Sequence, residues 1–295
     1  MLPNSAHYAE DFLRRHGLRL TEAAEAESKA IHWASAGNVL INQGFARLTE
    51  ADFIQKPAAG FVLHLLHRAF EHLEAAIVAF VTGSGASSES LSRVTVELSV
   101  SIQFILAGQQ ESRLLAFFGN YKHDEEKRLR NWWRTIEALP ETEKSEHAKA
   151  IGHRQNAVAS IAAILARLHD EFRGAGISLA EEAWPNVATR FETIGDAHGY
   201  RTLYSRMSSQ VHSDAEETIR YFLGRSAKNE ELFQRMAAET IAFSRFMLYF
   251  GVKYFLKAHV AFAAGLAMTA EAGLLDRGLE VIDEELKAIA PMVDG

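Results

Sequence analysis

The chain contains no cysteine among its 295 residues. That removes disulfides, thiolate metal sites and cysteine nucleophiles together, and it suits a cytoplasmic protein, the compartment expected. Proline is nearly as scarce, with five residues. No window alternates apolar and polar residues with period two, so no sheet is expected. Long uncharged apolar runs are missing too. The most apolar stretch, residues 241–268, is broken by Arg245, Lys253, Lys257 and His259. A spanning helix needs roughly 18 or more nearly uncharged residues, so this stretch predicts a long buried helix and no membrane partner. The opening MLPNSAHYAEDFLRRHG has no apolar h-region and does not read as a secretory signal. Excess positive charge is absent as well. A formal net charge of −7 gives nothing global to hold nucleic acid or an anionic membrane, which leaves RNA to a local basic patch. The segment GSGASSES follows a helix and lacks the P-loop lysine, and no serine nucleophile elbow occurs. ATP-driven chemistry and acyl-transfer hydrolysis therefore find no support.

What is present is helical periodicity along the whole chain. The reading is all-α: a multi-helix bundle with long antiparallel helices, as an N-terminal helical extension over 1–56 and a main helical domain over 57–295, or as one domain throughout. Thr21 caps a helix reaching about Phe45, and Thr49 with Asp52 has the form of a capping box. Pro57 opens a helix from Ala58 to Val81, and GSGASSES reads as a loop. A strongly apolar helix over about 90–106 carries Leu91, Val94, Leu98, Ile102 and Ile105 on one side, with Arg93 and Glu97 four residues apart. Residues 111–138 form a helix that turns charged and aromatic after Tyr121. Pro140 begins another that runs to about Phe172, and Pro185 a further one ending at Gly195. Asn229 begins the apolar helix, which runs to about Met268, and Leu274–Ala290 closes the chain.

The central stretch is YRTLYSRMSSQVHSD, residues 200–214. At about 100° per residue it stacks Arg201, Tyr204, Ser208 and His212 in one polar stripe beside the apolar row Leu203, Met207 and Val211. Such a pairing of rows describes a partly buried site and equally a hydrogen-bonded packing face. Arg93 and Glu97 raise the same choice: on a helix this apolar, the pair is either functional or specifies the fold.

Other chemistry-bearing groups are weaker. His64 and His67 share a helical face with Glu71 and Glu74, but no Glu-x-x-His or His-Glu-x-x-His element accompanies them, and no metal or cofactor is expected. His123-Asp124 and His169-Asp170 invite comparison with helical metal-dependent phosphohydrolases, on the strength of dipeptides alone. Trp132 and Trp133 lie beside Arg128, Arg130 and Arg134. Such a group can stack on bases, although adjacent tryptophans more commonly divide between a core and an interface.

Taken in order, RVTVELSVSIQFIL, FFGNYKHDEEKRLRNW, a segment around Trp184, IGDAHGYRTLYSRMSSQVHSD and the apolar C-terminal helix resemble the bacterial all-helical family catalogued as domain of unknown function 5677. The resemblance spans roughly residues 60–270. The chain is also distantly similar to HEPN-type helical proteins, many of which are metal-independent ribonucleases of toxin–antitoxin and phage-defence systems. Their motif is an Arg followed after four to six residues by a His, a spacing that Arg206 and His212 satisfy. In an unbroken helix those two side chains point about 120° apart. Arg201 shares the face of His212 but lies about 16 Å along the axis from it.

Two classes of function stay open. In the first, the resemblance implies an RNA-cleaving or toxin-like enzyme of bacterial defence. His212 would then be acid/base, Arg201 or Arg206 would sit on the scissile phosphate, and Tyr204 or Ser208 would orient the imidazole. The partners implied are RNA, a second copy of the chain that unites residues one helix holds apart, and an antitoxin or defence protein. In the second, Arg93, Glu97, Tyr204 and His212 form a buried structural network in a non-catalytic interaction module.

Overall fold

A computed structural model of the protein describes residues 5–15, 17, 22–204 and 230–293, together with 219 and 222. Every regular element among them is helical: α1 (Ser5–Arg15), α2 (Glu22–Ala26), α3 (Ser28–Phe45), α4 (Glu50–Gln55), α5 (Ala59–Val81), α6 (Gly85–Leu106), α7 (Gln110–Ile136), α8 (Glu141–Gly174), α9 (Val187–Thr193), α10 (Ala197–Gly199) running into a π turn (Tyr200–Tyr204), α11 (Glu230–Gly265) and α12 (Thr269–Val293). The all-α fold read from the sequence is the fold observed.

Three boundaries differ from the sequence reading. The helix expected up to Phe45 divides into α2 and α3 at Glu27, which is buried and paired with Arg245 at 2.8 Å; Thr21 lies outside the described residues. GSGASSES is mostly helix. Gly83 takes a left-handed φ of 86°, and α6 starts at Gly85 with Ser84 accepting the amide of Ser88. The last helix starts at Thr269, five residues earlier than expected, because the chain turns within three residues after Gly265.

The helices form two compact units, one of Met1–Thr49, Gly60–Leu106 and Val187–Gly295, the other of Glu50–Ala59 and Ala107–Asn186. The first is built around α11, which packs against α3, α6 and α12. Met247, Leu248, Tyr249, Val252, Phe255 and Leu256 on α11 are fully buried. Of the row Leu91, Val94, Leu98, Ile102 and Ile105, the two isoleucines are fully buried, the two leucines are half-buried and Val94 is exposed. Ser88, Ser92, Thr95 and Ser99, spaced at helical intervals, are buried as well. Small side chains let two helices approach closely. A Cβ on Gly251 of α11 would stand 3.4 Å from Ser92, and one on Gly85 would stand 2.7 Å from Ser244 Oγ.

The four polar residues that interrupt α11 each meet a partner. Arg245 pairs with Glu27, Lys253 with Asp283 and Lys257 with Asp196, while His259 Nδ1 lies 2.8 Å from the Phe255 carbonyl. His259 is buried and the other three are partly exposed, and no described helix is long and apolar enough to cross a membrane.

The second unit is dominated by α7 and α8, packed on each other and joined by a short turn at Pro140. Leu129, Ile136, Ile151 and Val158 form its core, with Trp132, Trp133 and Leu139 packed partly buried against them. Glu125 is buried in the same seam, paired with Arg128 at 2.7 Å and Arg154 at 2.8 Å, and these two hold its carboxyl below the usual range. The segment after α8 returns to α7 through Arg113–Glu182 at 3.1 Å and the Phe117–Trp184 ring contact.

Candidate functional site

The site is assembled in the first unit by α6, α9, α10, the π turn and α11. α9 ends on Gly195, whose left-handed φ of 79° allows the amides of Gly195 and Asp196 to close back on Glu192 and Phe191. That reversal makes Asp196 the N-cap of α10, where its Oδ1 accepts the Gly199 amide at 3.1 Å. Its other oxygen accepts from Tyr254 Oη and from Lys257 Nζ, the latter at 2.9 Å. Burial works against the Asp196 carboxylate, but these donors win and hold its pKa below the ordinary value. Gly199 leaves the room for this: a Cβ there would collide with Tyr254 Oη and the Asp196 carboxylate.

Next to this knot lies the pair that the sequence singles out. On α6, Arg93 Nε donates to Glu97 Oε1 at 3.0 Å, and the same oxygen accepts from Tyr204 Oη. The Arg93 guanidinium sits 5.6 Å over the Tyr204 ring. Arg190 of α9 is buried close enough to Glu97 and Tyr204 to interact electrostatically with both; burial lowers its pKa and the Glu97 charge opposes that. Phe191 ties the two halves together, with its ring 5.5 Å from both Tyr204 and Tyr254 and 5.7 Å from Tyr200.

Among the sequence candidates, the structure brings Arg93, Glu97 and Tyr204 together. Arg201 lies on the π turn just before Tyr204. The π turn advances less per residue than an α-helix, and it leaves Arg201 exposed while Tyr204 is 5% exposed. Arg206, Ser208 and His212 lie outside the described residues. Arg190, Asp196, Tyr254 and Lys257 escaped the sequence reading. The available signal was Lys257, a charge on an apolar helix three residues after a tyrosine, which requires a partner from elsewhere.

The arrangement can hold charge and donate hydrogen bonds. Burial, followed by the Glu97 carboxylate, pushes the Tyr204 phenol up to about 12. Burial and Asp196 raise Tyr254 further. Arg93 is raised, because Tyr204 and Glu97 outweigh its burial. Neither phenol is a base at neutral pH, and Asp196 stays ionised.

The metal-ligand candidates point elsewhere. His67 Nε2 meets Asn42 at 2.9 Å, Glu71 pairs with Arg68, and Glu74 with Arg15. Asp124 accepts from Asn120, and His169 and Asp170 are solvent-facing. Among the described residues no group of three or more His, Asp or Glu is placed to hold a metal ion.

An all-helical protein with two adjoining ionic clusters, Arg93–Glu97–Tyr204 and Asp196–Tyr254–Lys257, each half-buried around a buried tyrosine, is the class that fold and site define. The chain belongs to the family of unknown function DUF5677, whose model matches residues 60–231. No curated protein and no solved structure matches it.

Proposed function

We propose that the protein is a non-catalytic helical interaction module in which Arg93, Glu97 and Tyr204 form a structural network. One observation carries this reading: Glu97 Oε1 accepts from both Arg93 and Tyr204, so the carboxylate is committed to its own neighbours. A half-buried carboxylate and arginine that satisfy each other can fix helix register, as polar groups between helices do.

A second reading is a metal-independent ribonuclease or toxin-like effector of bacterial defence. It has its own support: Tyr204 is anchored immediately ahead of the segment carrying Arg206, Ser208 and His212. In that case Arg93, Glu97 and Tyr204 are positioning residues, His212 is acid/base, and Arg201 or Arg206 meets the phosphate. A dimer or an antitoxin-like partner belongs to this reading.

Incubating a mixed labelled RNA pool with wild type and His212→Ala, in EDTA, separates the two. The structural reading expects no cleavage by wild type, and a clear drop in melting temperature on Glu97→Leu or Tyr204→Phe. RNA cutting by wild type that disappears in a His212→Ala protein of unchanged melting temperature overturns it and establishes the ribonuclease.

A further inference from the structure

The outer face of α7 carries a row of cations that no ion pair among the described residues engages. Lys127, Arg130, Asn131 and Arg134 stand at i, i+3, i+4 and i+7, and all four are exposed. The buried residues Leu129 and Ile136 point the opposite way, into the seam with α8. The ordinary explanation for such a row is a solvated face laced with ion pairs. α7 does make such pairs, but with other residues: Lys122 takes Glu126 at 2.7 Å and Arg128 takes Glu125 at 2.7 Å. Among the described residues no ion pair engages Lys127, Arg130 or Arg134. Glu126 feels the charge of Arg130 while bonded to Lys122. The row also sets like charges against each other, Lys127 on Arg130 and Arg130 on Arg134, an arrangement that weakens an isolated helix.

We infer that this face of α7 binds the phosphate backbone of a single-stranded nucleic acid. Its cations step along the helix by about 5 Å, close to the separation of successive phosphates along a strand. Trp133, three residues beyond Arg130 and half-buried at the edge of the α7–α8 core, supplies an aromatic edge beside the row for a base. A lipid surface fits less well. A membrane-lying helix inserts an apolar face, and that face of α7 is already committed to α8. The overall charge of −7 makes the attraction local, so it depends on these few side chains. Binding of this kind requires no cleavage and holds whether or not His212 is catalytic.

The test is fluorescence anisotropy with a labelled 2′-O-methyl RNA 15-mer, which resists cleavage through the 2′-hydroxyl, titrated with the full-length protein at several salt concentrations. Wild type should bind at 50 mM salt. The K127Q/R130Q/R134Q protein should bind at least tenfold more weakly, with a log–log salt slope smaller by about 2, as three lost phosphate contacts on a single strand require. Arg167→Gln, an exposed arginine of α8 paired with Glu171, should bind like wild type. If the triple variant loses its helical circular dichroism, the single Arg134→Gln protein carries the test, with an expected loss of two- to threefold. Absence of binding by wild type, equal loss in Arg167→Gln, or tighter binding to phosphatidylserine vesicles or polyglutamate than to the RNA overturns the assignment.

Discussion

Two donors converge on Glu97 Oε1, and the Tyr204 phenol is the one that crosses from a different segment of the chain. Tyr204→Phe removes that donor while keeping the ring packed on Phe191 and Tyr200. A hydrogen bond to a charged group contributes about 1.5–3 kcal/mol. The Glu97 side chain is 35% exposed, so water replaces part of the loss, and a cost of about 1–2 kcal/mol is expected. The urea midpoint reads it directly, and a Phe variant as stable as wild type would remove Tyr204 from the network. Arg93 and Glu97 are legible in the sequence because a charged pair four residues apart on an apolar helix is a local pattern. Arg190, Asp196, Tyr254 and Lys257 are not, because their partners are brought together by packing across dozens of residues of chain. The stripe to which Arg201 was assigned assumes α geometry, whereas Tyr200–Tyr204 form a π turn on which Arg201 is exposed.

Helix ends present a matched pair of predictions. At Gly195 the left-handed φ of 79° has open space around the missing Cβ, so Gly195→Ala strains only the backbone. The expected loss is about 1–2 kcal/mol. Between α11 and α12 the same reversal is made by Ala267 at φ 55°, with Ala267 and Met268 amides closing on Ala264 and Ala263. Ala267 is exposed, so Ala267→Gly relieves strain without opening a cavity and should stabilise by about 0.5–1 kcal/mol. Thermal melts of both variants should move in opposite directions; the same sign in both would refute the shared geometry. The pair also explains which boundaries were readable. A glycine after an apolar helix announces its stop, as at Gly195, whereas alanine at the same turn reads as helix and hides the start of α12. The Ser-rich start of α6 is the reverse error, since Gly and Ser there serve close packing, not a loop.

Across the whole molecule, the all-helical class was legible because absences of proline and of period-two alternation act on every segment alike. The arrangement of helices around α11 was less so, because α6 buries a row of serines and a threonine, Ser88, Ser92, Thr95 and Ser99, beside its apolar residues, while Leu91 and Leu98 are only half-buried. The burial at the centre of that arrangement sets how the fold responds to acid. His259 on α11 is fully enclosed, and burial lowers its pKa to about 4 from 6.5, against the partial support of the Phe255 carbonyl. The folded value lies below the unfolded one, so unfolding takes up a proton between about pH 6.5 and 4. Stability therefore falls as pH drops across that window, by up to about 3 kcal/mol for this one group. His32, His67 and His72 are also lowered by burial and add in the same sense, while Glu27, raised by burial, acts in the opposite one. Asp196 acts at lower pH: its depressed folded pKa gives stability that is present above the unfolded value near 4 and lost as pH falls through the folded one. His259→Asn retains a donor for the Phe255 carbonyl and removes the titration. It should lower stability at pH 7 by leaving a small void, and should flatten the dependence of the urea midpoint between pH 6.5 and 4.5. An unchanged slope in that variant would mean that His259 is protonated in the folded protein and that its enclosure does not govern the acid limb.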